Sequence, residues 1–368
     1  MVLRGKPWRR SGTSSYELPQ EEWARFPLEP TGRSWDALPV DMSIQEAIDP
    51  ARLHAFIRSA HAREHPRLSS GVRESDPVEV TLEKLGLLRE GRPTNAALLL
   101  IGMDPQRLCP RARIRVFYFR DISDFDEYPE CTGTIGEQID AVMRTIAVAN
   151  PARITFPASS AGEDLVERTK RHESVAYPDL ALREAITNAL VHRDYTVVGS
   201  EVEVKIYSDR LVIQNPGRLM PGLTTDELRQ DPHPSRRRNP LIAEIAGLDY
   251  WIERAGTDTT RMIKLCEDEG LPTPAFEDRS SGFTVTFYRD PWTWEILAGV
   301  GLKERQVKGV MHVKVHGEIG VTGYQEVAQV SKSTAVRDLR DLEGRGILDK
   351  HGAGPRTHYI LGKVPKVP

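Results

Sequence analysis

One stretch, residues 177–199 (YPDLALREAITNALVHRDYTVVG), constrains the fold more than any other part of the 368-residue chain. Its apolar residues recur at helical spacing and form one stripe, whereas Glu184, Asn188 and His192 follow one another four residues apart on a second face. A Pro-Asp pair at its start is typical of a first helical turn. The sequence therefore predicts a helix that carries a carboxylate, an amide and an imidazole along one side.

A carboxylate and an amide one helical turn apart suit magnesium-nucleotide chemistry. The amide oxygen of Asn188 is a hard ligand of the kind that Mg²⁺ prefers, and Glu184 could polarise a water molecule. The same spacing occurs on the solvated face of many amphipathic helices, and spacing alone leaves that alternative open. His192, Arg193 and Asp194 are expected to brace the helix end or a domain interface.

Four segments in order resemble one family. They are ALREAITNALVHRDY, EVEVKIYSDRLVIQNPGRLMPGLT, RRRNPLIAEIAGL and IERAGTDTTRMIKLCEDEGLPTPAFE, and the family is a RecG-like C-terminal group placed with the gyrase, heat-shock-chaperone, histidine-kinase and MutL (GHKL) ATPase fold. The resemblance implies an α+β architecture, a GHKL-like α/β sandwich with helices on one face of a mixed sheet, and a site for ATP and Mg²⁺. By position in the family, Glu184 would activate water as the catalytic base and Asn188 would be the metal ligand.

The resemblance also assigns contacts to the nucleotide. In GHKL proteins the strand after this helix ends in an Asp-x-Gly loop whose aspartate accepts a hydrogen bond from the adenine amino group, and Asn215 and Gly217 stand there in this chain. An amide oxygen can still accept that bond, without the charge, and a plain turn is the alternative. Gly256 and Thr257 would contact phosphate, but Asp258 places a negative charge where the family has a second glycine, which weakens nucleotide binding unless Mg²⁺ intervenes.

A triple arginine, Arg236–Arg238, follows that loop. Guanidinium groups suit phosphates because each donates two parallel hydrogen bonds, and the family has a flexible lid near this position. We expect a phosphate or DNA contact here, with Arg238 contacting the nucleotide, and a solvated loop is the alternative.

The C-terminal part of the chain is basic. Residues 301–368 hold twelve Lys and Arg against seven Asp and Glu, a net charge of +5 in a chain whose total is −3, which favours nucleic-acid binding. Within it, residues 300–364 predict three helices and a hairpin, an order that resembles a winged helix-turn-helix; winged helices that bind other proteins are the alternative. The side chains expected to contact double-stranded DNA are Lys332, Ser333, Arg337, Arg340 and Arg356.

The rest of the chain divides into three regions. Residues 1–38 predict an N-terminal arm in which GKPWRRSGTSSYELPQEEWARF resembles the end of a Schlafen-like AlbA domain that is otherwise missing, and a flexible basic arm is the alternative. Residues 39–110 predict mixed helix and strand, with TNAALLLIG as a buried strand. Residues 111–292 predict the ATPase-like body, with a strand at 111–122 and a helix at 133–150.

Composition and motifs exclude several classes of protein. The three cysteines have no CxxC or metal-ligand spacing, which argues against a disulfide framework or a zinc site and fits a reducing cytoplasm. The longest apolar run, 96–101, is too short to cross a membrane. The sequence has no run of the form GxxxxGK[ST], so a P-loop helicase motor is excluded despite the RecG-like name.

Together these features predict a cytoplasmic DNA-binding transcriptional regulator, in which ATP or a related nucleotide in a GHKL-like domain controls a winged helix. Weak ATPase activity would be compatible with this prediction. The alternative is a DNA-binding or scaffold protein whose nucleotide pocket is degenerate and performs no chemistry. Because winged-helix regulators often pair across a two-fold operator, a homodimer is expected.

Overall fold

The computed structural model describes residues 34–62, 71–121, 124–149, 177–197, 199–230, 236–249, 258–290 and 292–362, together with five short strands outside these ranges. The predicted phosphate contacts Gly256 and Thr257 lie outside the described residues.

The helices and strands are numbered in chain order. The helices are α1 (Ile44–Ala47), α2 (Pro50–Ala62), α3 (Val78–Lys84), α4 (Asn95–Ile101), α5 (Ile135–Ala149), α6 (Asp179–Val191), α7 (Pro240–Ala246), α8 (Asp258–Asp268), α9 (Trp294–Gly299), α10 (Glu304–His316), α11 (Val321–Ala328) and α12 (Lys332–Gly344). The strands are β1 (Val2–Leu3), β2 (Lys6–Ser11), β3 (Ser14–Glu17), β4 (Leu88–Arg89), β5 (Arg92–Pro93), β6 (Ile114–Phe119), β7 (Phe125–Glu127), β8 (Arg153–Thr155), β9 (His172–Ser174), β10 (Val202–Ile206), β11 (Arg210–Asn215), β12 (Ala275–Arg279), β13 (Gly282–Tyr288), β14 (Leu348–His351) and β15 (His358–Leu361).

A six-stranded mixed sheet of order β12-β13-β11-β10-β6-β7 forms the centre of the fold. β10 and β6 are parallel, with Val204 opposite Val116, and the other neighbouring strands are antiparallel. Every second residue of β10 and β11 is buried, as the alternation of side chains along a strand requires. The predicted mixed α+β architecture of packed helices and a mixed sheet is confirmed.

The helix α6 lies at the centre of the packed layer. It contacts α5 and α8 on its sides and β11 beneath it. Nine of its thirteen residues are buried, so the helix is enclosed on more sides than an amphipathic surface helix would be. The predicted apolar stripe is entirely buried and consists of Leu182, Ala185, Ile186, Ala189 and Leu190.

The prediction of a buried strand at TNAALLLIG is wrong, because residues 95–101 form the helix α4. Thr94 caps this helix, with its hydroxyl oxygen accepting a hydrogen bond from the Ala97 amide at 3.2 Å. Ala96 to Ile101 are all buried, so the run has no polar face from which a helical period could be recognised. A short, fully apolar run is compatible with either element.

A second hydrophobic core lies in the C-terminal region, where α10, α11 and α12 precede the antiparallel pair β14–β15. Ala335 and Leu339 of α12 point into this core, whereas Lys332, Arg337 and Arg340 are exposed. Among the described residues, no helix combines the length and apolar composition needed to cross a lipid bilayer.

Candidate functional site

A cavity of about 120 Å³ opens between α6, α8, the ends of β11 and β13, and the loop 217–223. Its walls are largely apolar. The apolar lining includes Ile213, Leu223, Met262, Phe276, Phe283 and Val285. The residues singled out from the sequence that line it are Asn188, His192, Asn215, Gly217 and Arg238. The structure therefore gathers around one cavity the four predicted nucleotide contacts that it describes.

Asn188 presents a buried acceptor that no described residue satisfies. Its Nδ2 donates to Glu184 Oε1 at 3.3 Å, and since a carboxylate only accepts, this bond fixes which end of the amide is nitrogen. Its Oδ1 is buried and accepts no hydrogen bond within the described part of the chain. An unsatisfied buried acceptor costs about 1–3 kcal/mol, which a ligand or cation at this oxygen would recover.

Glu184 lies one helical turn before Asn188 and is 8% exposed. It contacts Asn188 from the protein side and is not among the residues that line the cavity. The i, i+4 spacing thus brings the two side chains together as predicted, but in this arrangement the carboxylate orients the amide. The catalytic role of Glu184 stays a prediction.

Asn215 ends β11 and is also buried, and its Oδ1 accepts no hydrogen bond from any described residue. Two glycines allow the backbone to pack closely around it. Gly217 has φ +100°, and a Cβ there would lie 2.6 Å from the Asp194 Cβ; Gly282 has φ +138°, and a Cβ there would overlap the Asn215 carbonyl oxygen. Only glycine fits either position without displacing the backbone beside Asn215.

Arg238 and Asp194 tie the end of α6 to the loop beside the cavity. Arg238 donates from Nη1 to Asp194 Oδ2 at 3.0 Å and from Nη2 to the Arg218 carbonyl at 2.6 Å. The Asp194 amide in turn donates to the Pro216 carbonyl at 3.0 Å. These bonds connect three segments that are distant in sequence and fix the wall on which Gly217 lies.

Arg193 anchors the same segment from inside the protein. It is 2% exposed and donates to the carbonyls of Arg111 at 2.5 Å and Ser200 at 2.7 Å. Its guanidinium lies 4.9 Å from the centroid of the Tyr195 ring. Asn239 donates to the Arg193 carbonyl at 2.8 Å. The HRDY run therefore braces the end of α6, while His192 alone of its four residues lines the cavity.

Two further arginines line the cavity that the sequence analysis did not assign individually as site residues. Arg218 pairs with Asp278 at 2.9 Å, and Arg236 donates to the Pro221 carbonyl. Arg218 has no motif around it, and Arg236 was noticed only as part of the triple arginine. Among the described residues that line the cavity, none is Asp or Glu. The arrangement suits a ligand with an apolar or aromatic body and an anionic group.

The described part of the chain contains no cluster of three or more His, Cys, Asp or Glu side chains that could hold a metal ion. A magnesium ion that depends on one amide oxygen needs additional oxygens from a bound phosphate and from water, which is how Mg²⁺ is commonly held. The unsatisfied Oδ1 of Asn188 fits that role.

Comparison with known proteins agrees with an ATPase-like domain. Residues 199–287 match the family described as "Putative ATP-dependent DNA helicase recG C-terminal". This range contains the hairpin β10–β11, α8, β12 and all of β13 except its last residue, and so most of the residues that line the cavity. An ATPase-like domain of the RecG C-terminal kind is therefore present in this chain.

Among solved structures, the DIP2311 protein from Corynebacterium diphtheriae aligns with a TM-score of 0.50 and 19% sequence identity. The alignment covers 97% of this chain and 60% of that protein. At this identity the similarity concerns the fold alone. No curated protein sequence matches significantly.

Proposed function

We propose that this chain is a DNA-binding regulator whose GHKL-like domain binds ATP or a related nucleotide. The observation that carries the nucleotide-binding half is the pair of buried, unsatisfied amide oxygens, Asn188 Oδ1 and Asn215 Oδ1, at one apolar cavity. A buried acceptor without a partner is rare in a folded protein and marks a place where a ligand, ion or water completes the bonding.

The size and charge of the cavity are compatible with part of a nucleotide. Its volume of about 120 Å³ is well below the roughly 300–1,000 Å³ of sites that enclose a whole drug-sized ligand. A base would therefore enter the apolar cavity, with Asn215 accepting from its amino group. The phosphates would remain at the mouth, near the arginines, with Mg²⁺ held by Asn188.

Isothermal titration calorimetry on the full chain tests this half of the proposal. We expect ATP with Mg²⁺ to bind with a dissociation constant in the micromolar to millimolar range. Absence of heat at millimolar ATP would favour the alternative, a protein whose nucleotide pocket has decayed. Glu184 lies outside the cavity lining, which favours binding without efficient hydrolysis, whereas the negative charge of Asp258 at the start of α8 favours the decayed pocket.

The DNA-binding half rests on the C-terminal region, which we propose to be a winged helix. The exposed face of α12 carries Lys332, Arg337 and Arg340, and Arg356 is exposed between β14 and β15. Exposed basic side chains on this helix support the proposal, because a helix-turn-helix module presents its recognition helix to the major groove. The experiment is fluorescence anisotropy with labelled duplex DNA at several salt concentrations, with and without ATP.

A chain of contacts offers a route by which a nucleotide could affect DNA binding. Phe283 and Val285 of β13 line the cavity, and the residues just after β13 contact α10, because Lys314 donates to the Asp290 carboxylate and to the Trp292 carbonyl at 2.8 Å. A ligand that shifts β13 near its start, at Phe283, would thus act through the length of this strand and through Asp290 and Trp292 on the first helix of the proposed winged helix. Such coupling would appear as a change in DNA affinity on adding ATP.

A further inference from the structure

Three arginines surround the cavity, and they differ in what their guanidinium groups contact. Arg218 makes a two-point contact with Asp278, with distances of 2.9 and 3.4 Å. Arg238 bonds to Asp194, and its side chain is only 19% exposed. The charge of each of these two arginines is therefore balanced by a carboxylate that belongs to the protein.

Arg236 is different. Its guanidinium donates to the Pro221 carbonyl, and no carboxylate of the described chain lies within ion-pair distance of it. Because the Pro221 carbonyl is neutral, this contact leaves the positive charge of Arg236 uncompensated. It also leaves most of the five N–H donors of the guanidinium available to a ligand. Arg236 is exposed and lines the cavity, so its charge lies at the mouth, where a ligand would protrude into solvent.

The loop beneath Arg236 is shaped to receive it. Gly222 has φ +77°, and a Cβ there would lie 3.0 Å from Nη1 and 3.4 Å from Cζ of Arg236. The guanidinium therefore lies across a backbone segment that has no side chain in its way. Met220, in the same loop, lines the cavity. The loop 220–222 therefore both contacts Arg236 and forms part of the apolar wall of the cavity.

We propose that Arg236 is the residue that recognises the phosphates of the bound nucleotide, and that Arg238 is a positioning residue for Asp194 and the loop at Gly217. This inference rests on the proposed function and assigns to Arg236 the nucleotide contact that the sequence analysis expects of Arg238. The physical reason is the charge balance: a phosphate at Arg238 would have to compete with a buried carboxylate 3.0 Å away, whereas at Arg236 it would meet an unbalanced fork that fits two phosphate oxygens.

The test compares ATP with adenosine, which has the same base and sugar and no phosphate. We titrate the 368-residue chain separately with ATP plus Mg²⁺ and with adenosine, and expect the wild type to bind ATP more tightly. Arg236→Ala should lower the affinity for ATP by about ten- to a hundredfold, the value of a charge-assisted hydrogen bond, and leave the affinity for adenosine unchanged. Arg236→Lys should recover only part of the loss because a lysine has no planar fork.

Arg237 supplies a matched control, since it is an exposed neighbouring arginine that does not line the cavity. Arg237→Ala should leave both affinities unchanged. If Arg237→Ala weakens the binding of ATP as much as Arg236→Ala does, the loss of affinity is due to net charge, and the assignment of the phosphate contact to Arg236 is wrong. If Arg236→Ala weakens the binding of ATP and of adenosine equally, Arg236 has a structural role, and the inference also fails.

Failure of the inference and failure of the proposed function give different results. If the wild type binds adenosine and ATP equally well, the cavity binds the base as proposed, but Arg236 recognises no phosphate. If Arg238→Ala abolishes the preference for ATP while adenosine still binds, the two arginines have been assigned in the wrong order. If the wild type binds neither probe, the proposed nucleotide site is absent, and the inference falls with it.

Discussion

The Asp194 carboxylate accepts a hydrogen bond from the Arg238 guanidinium at 3.0 Å, across 44 residues of sequence. The carboxylate side chain is 3% exposed and the arginine 19%. A buried pair of this kind gives little net stability relative to apolar residues, but loss of one partner leaves a buried charge uncompensated. The pair also lies directly behind Gly217, whose missing Cβ allows the loop to approach Asp194.

Arg238→Ala should therefore lower the free energy of unfolding by about 2 kcal/mol. Urea denaturation at neutral pH, followed by circular dichroism, measures this change. The neighbouring substitution Arg237→Ala, at an exposed position, should change it by less than about 0.5 kcal/mol. Equal stability of the Arg238→Ala protein and the wild type would mean that the pair does not hold the loop.

Asn188→Ala should abolish the rise in Tm that ATP and Mg²⁺ produce in the wild type. The substitution removes the one unsatisfied oxygen on α6 that can bind the cation, so the ligand would stabilise the native state less. Differential scanning fluorimetry with and without ATP gives the comparison. Leu180→Ala, at an exposed position on the same helix, should retain the full shift; an unchanged shift in Asn188→Ala would remove the metal-ligand role.

Local patterns on α6 and the β10–β11 hairpin could be predicted because their periodicities are strong. The spacing of Glu184 and Asn188 predicted a shared helix face, and the two side chains touch. The alternation of residues in EVEVKIYSDRLVIQNPG predicts two strands that turn at Ser208 and Asp209, and the chain does turn between Ile206 and Arg210. In both cases the interaction is local in sequence, so a period of 3.6 or 2 residues determines it.

The features of the site that the sequence did not predict depend on contacts between segments that are distant in sequence. Nothing near Arg236 or Arg238 in sequence indicates that Asp194 will pair with one of them and leave the other at the cavity mouth. Glu184 was assigned from its position in a family, and whether it faces the cavity depends on how α6 is rotated against β11. The helix α4 was mistaken for a strand because burial on all sides removes the pattern that distinguishes the two.

The buried carboxylate of Glu201 should make stability depend on pH in the acid range. Burial alone would raise its pKa, but hydrogen bonds from Arg113, at 3.1 Å, and from Arg111 outweigh burial and hold the pKa below the ordinary value. The unfolded chain therefore binds a proton first as the pH falls. The stabilisation is present above the ordinary glutamate pKa of about 4.3 and is lost as the pH falls through the lower pKa of the folded state.

Glu201→Gln tests this, since the amide cannot titrate. The difference in unfolding free energy between wild type and variant should be largest above about pH 5 and should shrink steadily below about pH 4.3. Urea denaturation at a series of pH values measures it. A difference that stays constant down to about pH 3 would show that Glu201 has the same pKa in the folded and unfolded states.

The proposed DNA-binding face of α12 gives the last prediction. Arg337 is exposed, whereas its neighbour Asp338 is buried and bonds to Arg305 at 2.5 and 3.1 Å. This buried contact fixes the rotation of α12 so that Arg337 faces solvent. If Arg337 contacts a phosphate, Arg337→Ala should weaken binding to all duplex sequences alike and reduce the slope of log affinity against log salt by about 1.

If Arg337 contacts a base edge, the same substitution should cost about 1–3 kcal/mol on the preferred sequence and little on others. Fluorescence anisotropy over a range of salt concentrations distinguishes the two results. Lys308→Ala on α10 is the control: it removes a cation of the same module that pairs with Glu304 at 2.9 Å and lies off the α12 face. Because both variants lower the net charge by one, equal losses would assign the binding to overall charge and would contradict a recognition role for α12.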